Sequence, residues 1–155
     1  MEFRRATSDD APAISRLIRS LSGPFYLSPS AEGAEKFLAS TTADAIAADV
    51  VADRYTCFVA EEGESLAGYV ALRDGRHLYL LFVAPEFQGR GLSRKLWELV
   101  RGPAVDAGNP GEFTVNASVR AVPVYERFGF RATSAVVRSH GLAYLPMKLT
   151  RECGE

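Results

Sequence analysis

Between Gln88 and Ser93 the chain reads QGRGLS, two glycines around an arginine, just after the apolar run LYLLFVAP and inside the start of the amphipathic run LSRKLWELV. If Leu80 to Val83 form a strand and Leu92 begins a helix, this hexapeptide lies at a helix N-terminus. Unpaired N–H groups and the positive end of the helix dipole attract an anion there. Gly89 and Gly91 let the backbone approach phosphate oxygens, and Arg90, Arg94 and Lys95 add formal positive charge. A diphosphate is the natural occupant; the alternative is that the glycines only shape a tight turn. Two other phosphate motifs do not fit. The chain has no GxxxxGK followed by Ser or Thr, and a dinucleotide fingerprint would need glycine where Arg94 stands and a shorter interval than Pro85-Glu86-Phe87 leaves.

The elements that must carry this turn follow from periodicity. Glu2 to Thr7 reads as a short strand, and Ser8-Asp9-Asp10 with Pro12 opens a helix whose apolar positions are Ile14, Leu17, Ile18 and Leu21. That helix is expected to end near Ser22-Gly23-Pro24, and a second helical stretch is expected over roughly residues 32 to 50. From Tyr55 to Pro85 the period changes to that of three strands joined by two hairpins at EEGES and RDGR. Leu92, Leu96, Leu99 and Val100 share one side of a helix laid on the sheet, which Gly102-Pro103 should end or kink. A strand at Phe113 to Ala117 completes a strand, helix, strand unit that calls for parallel pairing. VPVYERFGF is a short helix closed by Gly129. Either it begins at about Val122 with Pro123 in the first turn, or Ser118 caps a longer helix that lacks one internal hydrogen bond; the longer helix is favoured. Strands at about Arg131 to Arg138 and Leu142 to Leu149 close the chain around Ser139-His140-Gly141.

Composition narrows the function classes. With 155 residues, 47% of them hydrophobic, one sizeable core and a single domain over residues 1–155 are expected. Eighteen basic against 19 acidic side chains give a net charge of −1, too little to concentrate nucleic acid or hold the chain on an anionic membrane. No basic patch is interleaved with aromatics, so no nucleic-acid partner is expected. Cys57 and Cys153 are poor material for a disulfide framework and fit a reducing, cytoplasmic setting. The first ten residues are charged, and no window approaches the ~18 to 20 apolar residues of a membrane span. His77 and His140 share no ligand spacing with the cysteines, so no metal site is expected.

The wider string LFVAPEFQGRGLSRKL resembles the acyl-coenzyme A binding segment of the GNAT acetyltransferase superfamily, bacterial type. The family pattern Gln/Arg-x-x-Gly-x-Gly/Ala follows a strand ending in V-x-P, and here it reads Gln88-Gly89-Arg90-Gly91-Leu92-Ser93. Ser93 stands where Gly or Ala is usual; it is small, and its hydroxyl can donate to phosphate. A second segment, FTVNASVRAVPVYERFGF, resembles the family's strand, its A-x-x-x-Y helix and its terminal G-F. Ser118 holds the position commonly filled by Asn; Asn116 lies two residues earlier, off the family position, and is counted among the cofactor-binding residues. GLAYLPMKLT resembles the last strand, so the likeness runs from about Phe3 to Leu149. It implies an α/β (α+β) GNAT fold, a mixed, mainly antiparallel sheet of about seven strands flanked by about four helices.

What the resemblance further implies is transfer of an acetyl group from acetyl-CoA, used as cosubstrate, to a primary amine by direct attack on the thioester. The pantetheine arm is expected beside Leu81, Phe82 and Val83, where two central parallel strands diverge and an N–H near Val83 can polarise the thioester carbonyl. Tyr125 matches the family's tyrosine and is the candidate general acid for the departing thiolate, since a phenol with pKa near ~10 stays protonated at neutral pH. Its plain structural alternative is a ring packed under the sheet. No base is singled out among Glu61, Glu62, His77 and Tyr79. Acceptor recognition is assigned to the loop GPFYLSPSAEG, with Phe25 and Tyr26 walling the entrance or capping the core, and to Tyr79. The acceptor is a small-molecule or peptide amine, and a homodimer is the family habit. A noncatalytic acyl-CoA binding or sensing module would keep Gln88 to Ser93 without a productive acceptor site.

Overall fold

The structure, a computed structural model, describes residues 1–150, so Cys153 lies outside the described residues. Eight strands form the sheet: β1 (Glu2–Arg5), β2 (Tyr55–Glu62), β3 (Ser65–Arg73), β4 (His77–Val83), β5 (Phe113–Ala117), β6 (Arg131–Ala132), β7 (Val137–Ser139) and β8 (Leu142–Leu149). Their order is β1-β2-β3-β4-β5-β8-β6, with β7 paired to β8. Every pairing is antiparallel except β4 with β5.

Five helices flank the sheet: α1 (Ala11–Leu21), α2 (Glu35–Ser40), α3 (Ala43–Val51), α4 (Leu92–Asp106) and α5 (Val122–Phe128). Ile14, Leu17, Ile18 and Ile46 of α1 and α3 build one core with Val59, Leu80 and Phe82. Leu96, Trp97, Val100 and Tyr125 of α4 and α5 build the other with Leu78, Phe113, Val115 and Met147. Trp97 is the keystone of the second layer, edge-on to Phe113 at 4.9 Å and tilted against Phe130 at 5.5 Å.

Several elements depart from the periodicity reading. The stretch expected as one helix over 32 to 50 is two, because Thr42 is extended and its hydroxyl accepts the Ala45 N–H at 3.1 Å, capping α3. Ser15 Oγ on α1 donates to the Thr41 carbonyl at 2.6 Å and fixes this break against the core. Helix α4 does not end at Gly102-Pro103 but runs on to Asp106. Pro103 forfeits the bond to the Leu99 carbonyl, a cost of about 3 kcal/mol, while beyond it Ala104 packs against the core and the Ala107 N–H donates to the Pro103 carbonyl at 2.9 Å. The helix bearing Tyr125 starts at Val122 with Pro123 in its first turn; Ser118 precedes a separate 3-10 turn, so the longer alternative is not the one formed. The run Arg131 to Arg138 is two short strands rather than one.

Two features position the site. The β3–β4 register jumps from Ala71↔Leu80 to Leu72↔Leu78, which leaves Tyr79 as an extra residue on β4. Such a bulge turns consecutive side chains to one face. Leu78 therefore packs under α4 and α5, whereas Tyr79 and Leu80 both face the α1 layer. In addition, β4 and β5 share only the partners His77↔Thr114 and Leu78↔Val115. Beyond them β4 follows β3 to Val83, β5 follows β8 to Ala117, and a wedge opens between.

The loop after α1 is held over this wedge by the β7–β8 turn. Leu27 N–H donates to the Gly141 carbonyl at 2.9 Å, and Tyr26 bridges to Leu142. A Cβ on Gly141 would lie 2.6 Å from backbone atoms of Glu32, Gly33 and Ala34, and its φ is +74°. Gly141→Ala is therefore expected to destabilise the fold by about 1–3 kcal/mol. Gly63→Ala, at φ +61° with nothing within 4 Å, is the control for backbone strain alone and should cost less. Thermal unfolding of the two variants measures the difference; equal losses would show that the Gly141 packing contributes nothing.

Candidate active site

The wedge opens into a cavity of about 750 Å³ whose wall runs from the α1 loop, across β4, to the N-terminus of α4 and the inner face of α5. Gly91, at φ +76°, is the N-cap of α4, and Gly89 is also left-handed at φ +78°. The first bond of α4 is Lys95 N–H to Gly91 O at 3.2 Å, so the N–H groups of Leu92, Ser93 and Arg94 precede the helical ladder. Nothing lies within 4 Å of where a Cβ would stand on either glycine. Open space over bare backbone and a helix N-terminus on the cavity wall is a surface that fits a diphosphate.

Gln88 does a different job from its neighbours. Its side-chain amide donates to the Val83 carbonyl at 3.0 Å, clamping the turn to the end of β4. Arg94 is fixed by a bond to the Arg127 carbonyl at 2.9 Å and lies 5.0 Å above the Phe128 ring, so α4 and α5 hold it jointly on the cavity wall. Arg90 is exposed above Phe87 at 5.4 Å, and Lys95 lies over Phe3 at 5.5 Å; neither is on the wall. Arg120 and Arg127 are, and they complete a group of three wall arginines with Arg94.

Tyr125 projects from α5 into the same cavity. Gly129 at φ +103° closes the helix, with Phe130 N–H returning to the Tyr125 carbonyl at 3.0 Å. The ring is held edge-on between Phe128 and Phe130 at 6.0 and 5.9 Å. Burial raises its phenol above the ordinary value, which keeps it protonated. Among the described residues none is hydrogen-bonded to this hydroxyl, and Tyr125 lines the cavity.

Leu81, Phe82, Val83, Leu92, Ser93, Asn116 and Tyr79 also lie on the wall, and Asn116 is exposed on β5 one residue before Ala117. Ser118 joins them. Tyr26 does not: its ring meets Phe37 edge-on at 6.2 Å, and Phe25 faces the cavity instead. Of the four candidate bases, Tyr79 lies on the wall and the other three lie elsewhere. Glu61 pairs with Arg4, which also grips Asp10 in a two-pronged bond, and Glu62 pairs with the N-terminal ammonium at 2.9 Å. His77 lies six residues before Val83, about 20 Å along the strand, with Nδ1 2.8 Å from Thr114 Oγ1.

Burial, helped by Arg73, lowers the His77 pKa from 6.5 to about 4. The unfolded chain then binds the extra proton between those values, so stability is full above the unfolded value and falls as pH drops from 6.5 toward about 4. His77→Gln should flatten that acid-side decline in thermal melts. An unchanged slope would mean that other groups cause it.

Residues 26–151 match the family described as the acetyltransferase (GNAT) domain. No curated protein matches the chain by sequence. Solved structures share the fold. A GCN5-related N-acetyltransferase from Rhodopseudomonas palustris aligns with TM-score 0.75 at 22% identity, covering 97% of this chain and 95% of that one. The PaiA N-acetyltransferase of Thermoplasma acidophilum, in complex with coenzyme A, aligns with TM-score 0.76 at 14% identity over 97% and 98%. An aminoglycoside 6'-N-acetyltransferase complexed with coenzyme A aligns with TM-score 0.69 at 11% identity over 98% and 99%. Parted parallel strands, a glycine turn opening α4, and a family match spanning both lead to one assignment: the chain belongs to the GNAT acetyltransferase family.

Proposed function

We propose that the protein is an acetyl-CoA-dependent N-acetyltransferase acting on a primary amine. The observation that carries this reading is the single cavity lined by both the Gly89–Ser93 turn and Tyr125, with the unpaired end of β4 between them. Acetyl-CoA supplies an electrophilic acyl carbon and a thiol leaving group. The amides at the start of α4 hold the diphosphate, with Ser93, Arg94 and Arg127 beside them. Main-chain groups of Leu81, Phe82 and Val83, free of β5, orient the pantetheine arm, and Asn116 faces it from β5. Tyr125 holds a proton for the departing sulfur. Tyr79 and the loop bearing Phe25 and Tyr26 receive the acceptor. The names of several structural neighbours, which include a spermidine and an aminoglycoside N-acetyltransferase, support an amine as acceptor class.

A buried, free Cys57, whose thiol burial pushes up, supports a cytoplasmic setting. Thiol release from acetyl-CoA, measured over a panel of amines, tests the reading. Acceptor-dependent release is expected. Binding of the thioester without release for any amine would favour a sensing module.

A further inference from the structure

We infer that the acceptor half of the cavity takes a weakly basic amine carried on an apolar or aromatic body, entering as the free amine, and does not serve polyamines or amino sugars. The inference rests on the transferase reading above. Leu21 at the end of α1, Pro24 and Phe25 in the 3-10 turn after it, and Tyr79 and Leu81 on β4 make this part of the wall. All are apolar or aromatic, a surface that gains from covering hydrocarbon and offers an ammonium no carboxylate.

The charged side chains on the cavity wall have the wrong sign for a cation, and Asp49 of α3, the carboxylate that acts on Tyr79, is not on that wall. The Arg73 guanidinium lies 5.3 Å over the Tyr79 ring, so the aromatic best placed to attract an ammonium already serves one cation. Arg94, Arg120 and Arg127 are on the cavity wall itself. Among the described residues no Asp, Glu or His lines it. The end of α1 could offer carbonyls, yet that of Ile18 accepts the Ser22 hydroxyl and that of Ser22 accepts the Phe25 N–H. A protonated alkylamine would exchange water for hydrocarbon and arginine.

A weakly basic amine avoids both difficulties because its lone pair is present at neutral pH. Nitrogen forms a bond to the acyl carbon, the carbon–sulfur bond breaks, and its electron pair leaves on sulfur, which takes the Tyr125 proton. The surplus proton on nitrogen passes to water, and water restores the phenol. The products are an amide and a thiol, and no protein base is needed before attack.

The test is thiol release by the full chain with acetyl-CoA and four acceptors: phenylalanine amide, phenethylamine, spermidine and kanamycin. An α-amine with pKa near ~7.8 and an alkylamine near ~10.4 differ in free-base fraction at neutral pH enough to favour phenylalanine amide over spermidine on the order of 100-fold in kcat/KM. The rising limb of the pH profile should also move upward from phenylalanine amide to phenethylamine, following the acceptor. A limb that stays in place would assign the proton removal to a protein group and overturn the inference. Preference for spermidine or kanamycin would overturn it too, while leaving the transferase reading intact. No release with any of the four, with acetyl-CoA bound, would overturn both.

Discussion

Gly91→Val should weaken coenzyme A binding by roughly 100-fold or more, while the folded state loses only about 1–2 kcal/mol to backbone strain. The two effects have separate causes. Gly91 is left-handed at φ +76°, a conformation that a β-branched residue rarely adopts, and this strain acts with or without ligand. The space a side chain would fill is open, since nothing lies within 4 Å of a Cβ there. The valine Cβ therefore meets no atom beyond its chain neighbours, but the side chain stands where phosphate oxygens must approach the amides of α4. Calorimetric titration with coenzyme A and thermal unfolding without it separate the two. Unchanged affinity would mean that the diphosphate binds elsewhere.

Tyr125→Phe is expected to lower kcat by about 100-fold or more, the usual contribution of a positioned general acid, with coenzyme A affinity altered less than about threefold. Phenylalanine keeps the ring edge-on to Phe128 and Phe130, so the packing of α5 is preserved and only the hydroxyl is lost. Burial raises the phenol, so its proton is retained across the neutral and mildly alkaline range, and wild-type activity should show no loss there from Tyr125 ionising. Equal loss of binding and turnover would mark the side chain as structural.

The parts of this site legible in the sequence are those governed by local rules. Gly89 and Gly91 sit between an apolar run and an amphipathic one, and the backbone there is left-handed as a helix start over bare amides requires. The strand at Phe113–Ala117 and the closing strand Leu142–Leu149 emerge with the expected bounds. What sequence hid was set by tertiary geometry. The bulge at Tyr79 depends on how β3 and β4 fall into register, and the parting of β4 from β5 on how far each follows its other neighbour. Arg127 reaches the cavity because α5 packs beside α4, and Arg120 reaches it from the 3-10 turn Val119–Ala121 before α5; their place around Tyr125, within the motif itself, was the available signal. Phe25 takes the wall position expected of Tyr26, whose backbone is held by the bridge to Leu142. Glu61, a plausible base on position in a hairpin, is already committed to Arg4.

The most direct measurement is a crystal structure of the full chain grown with coenzyme A. Diphosphate oxygens are expected about 2.7–3.2 Å from the amide nitrogens of the Gly89–Ser93 turn, with the sulfur in the parting of β4 and β5 beside the Tyr125 hydroxyl. A diphosphate bound away from that turn, or a sulfur out of reach of the phenol, would contradict the account.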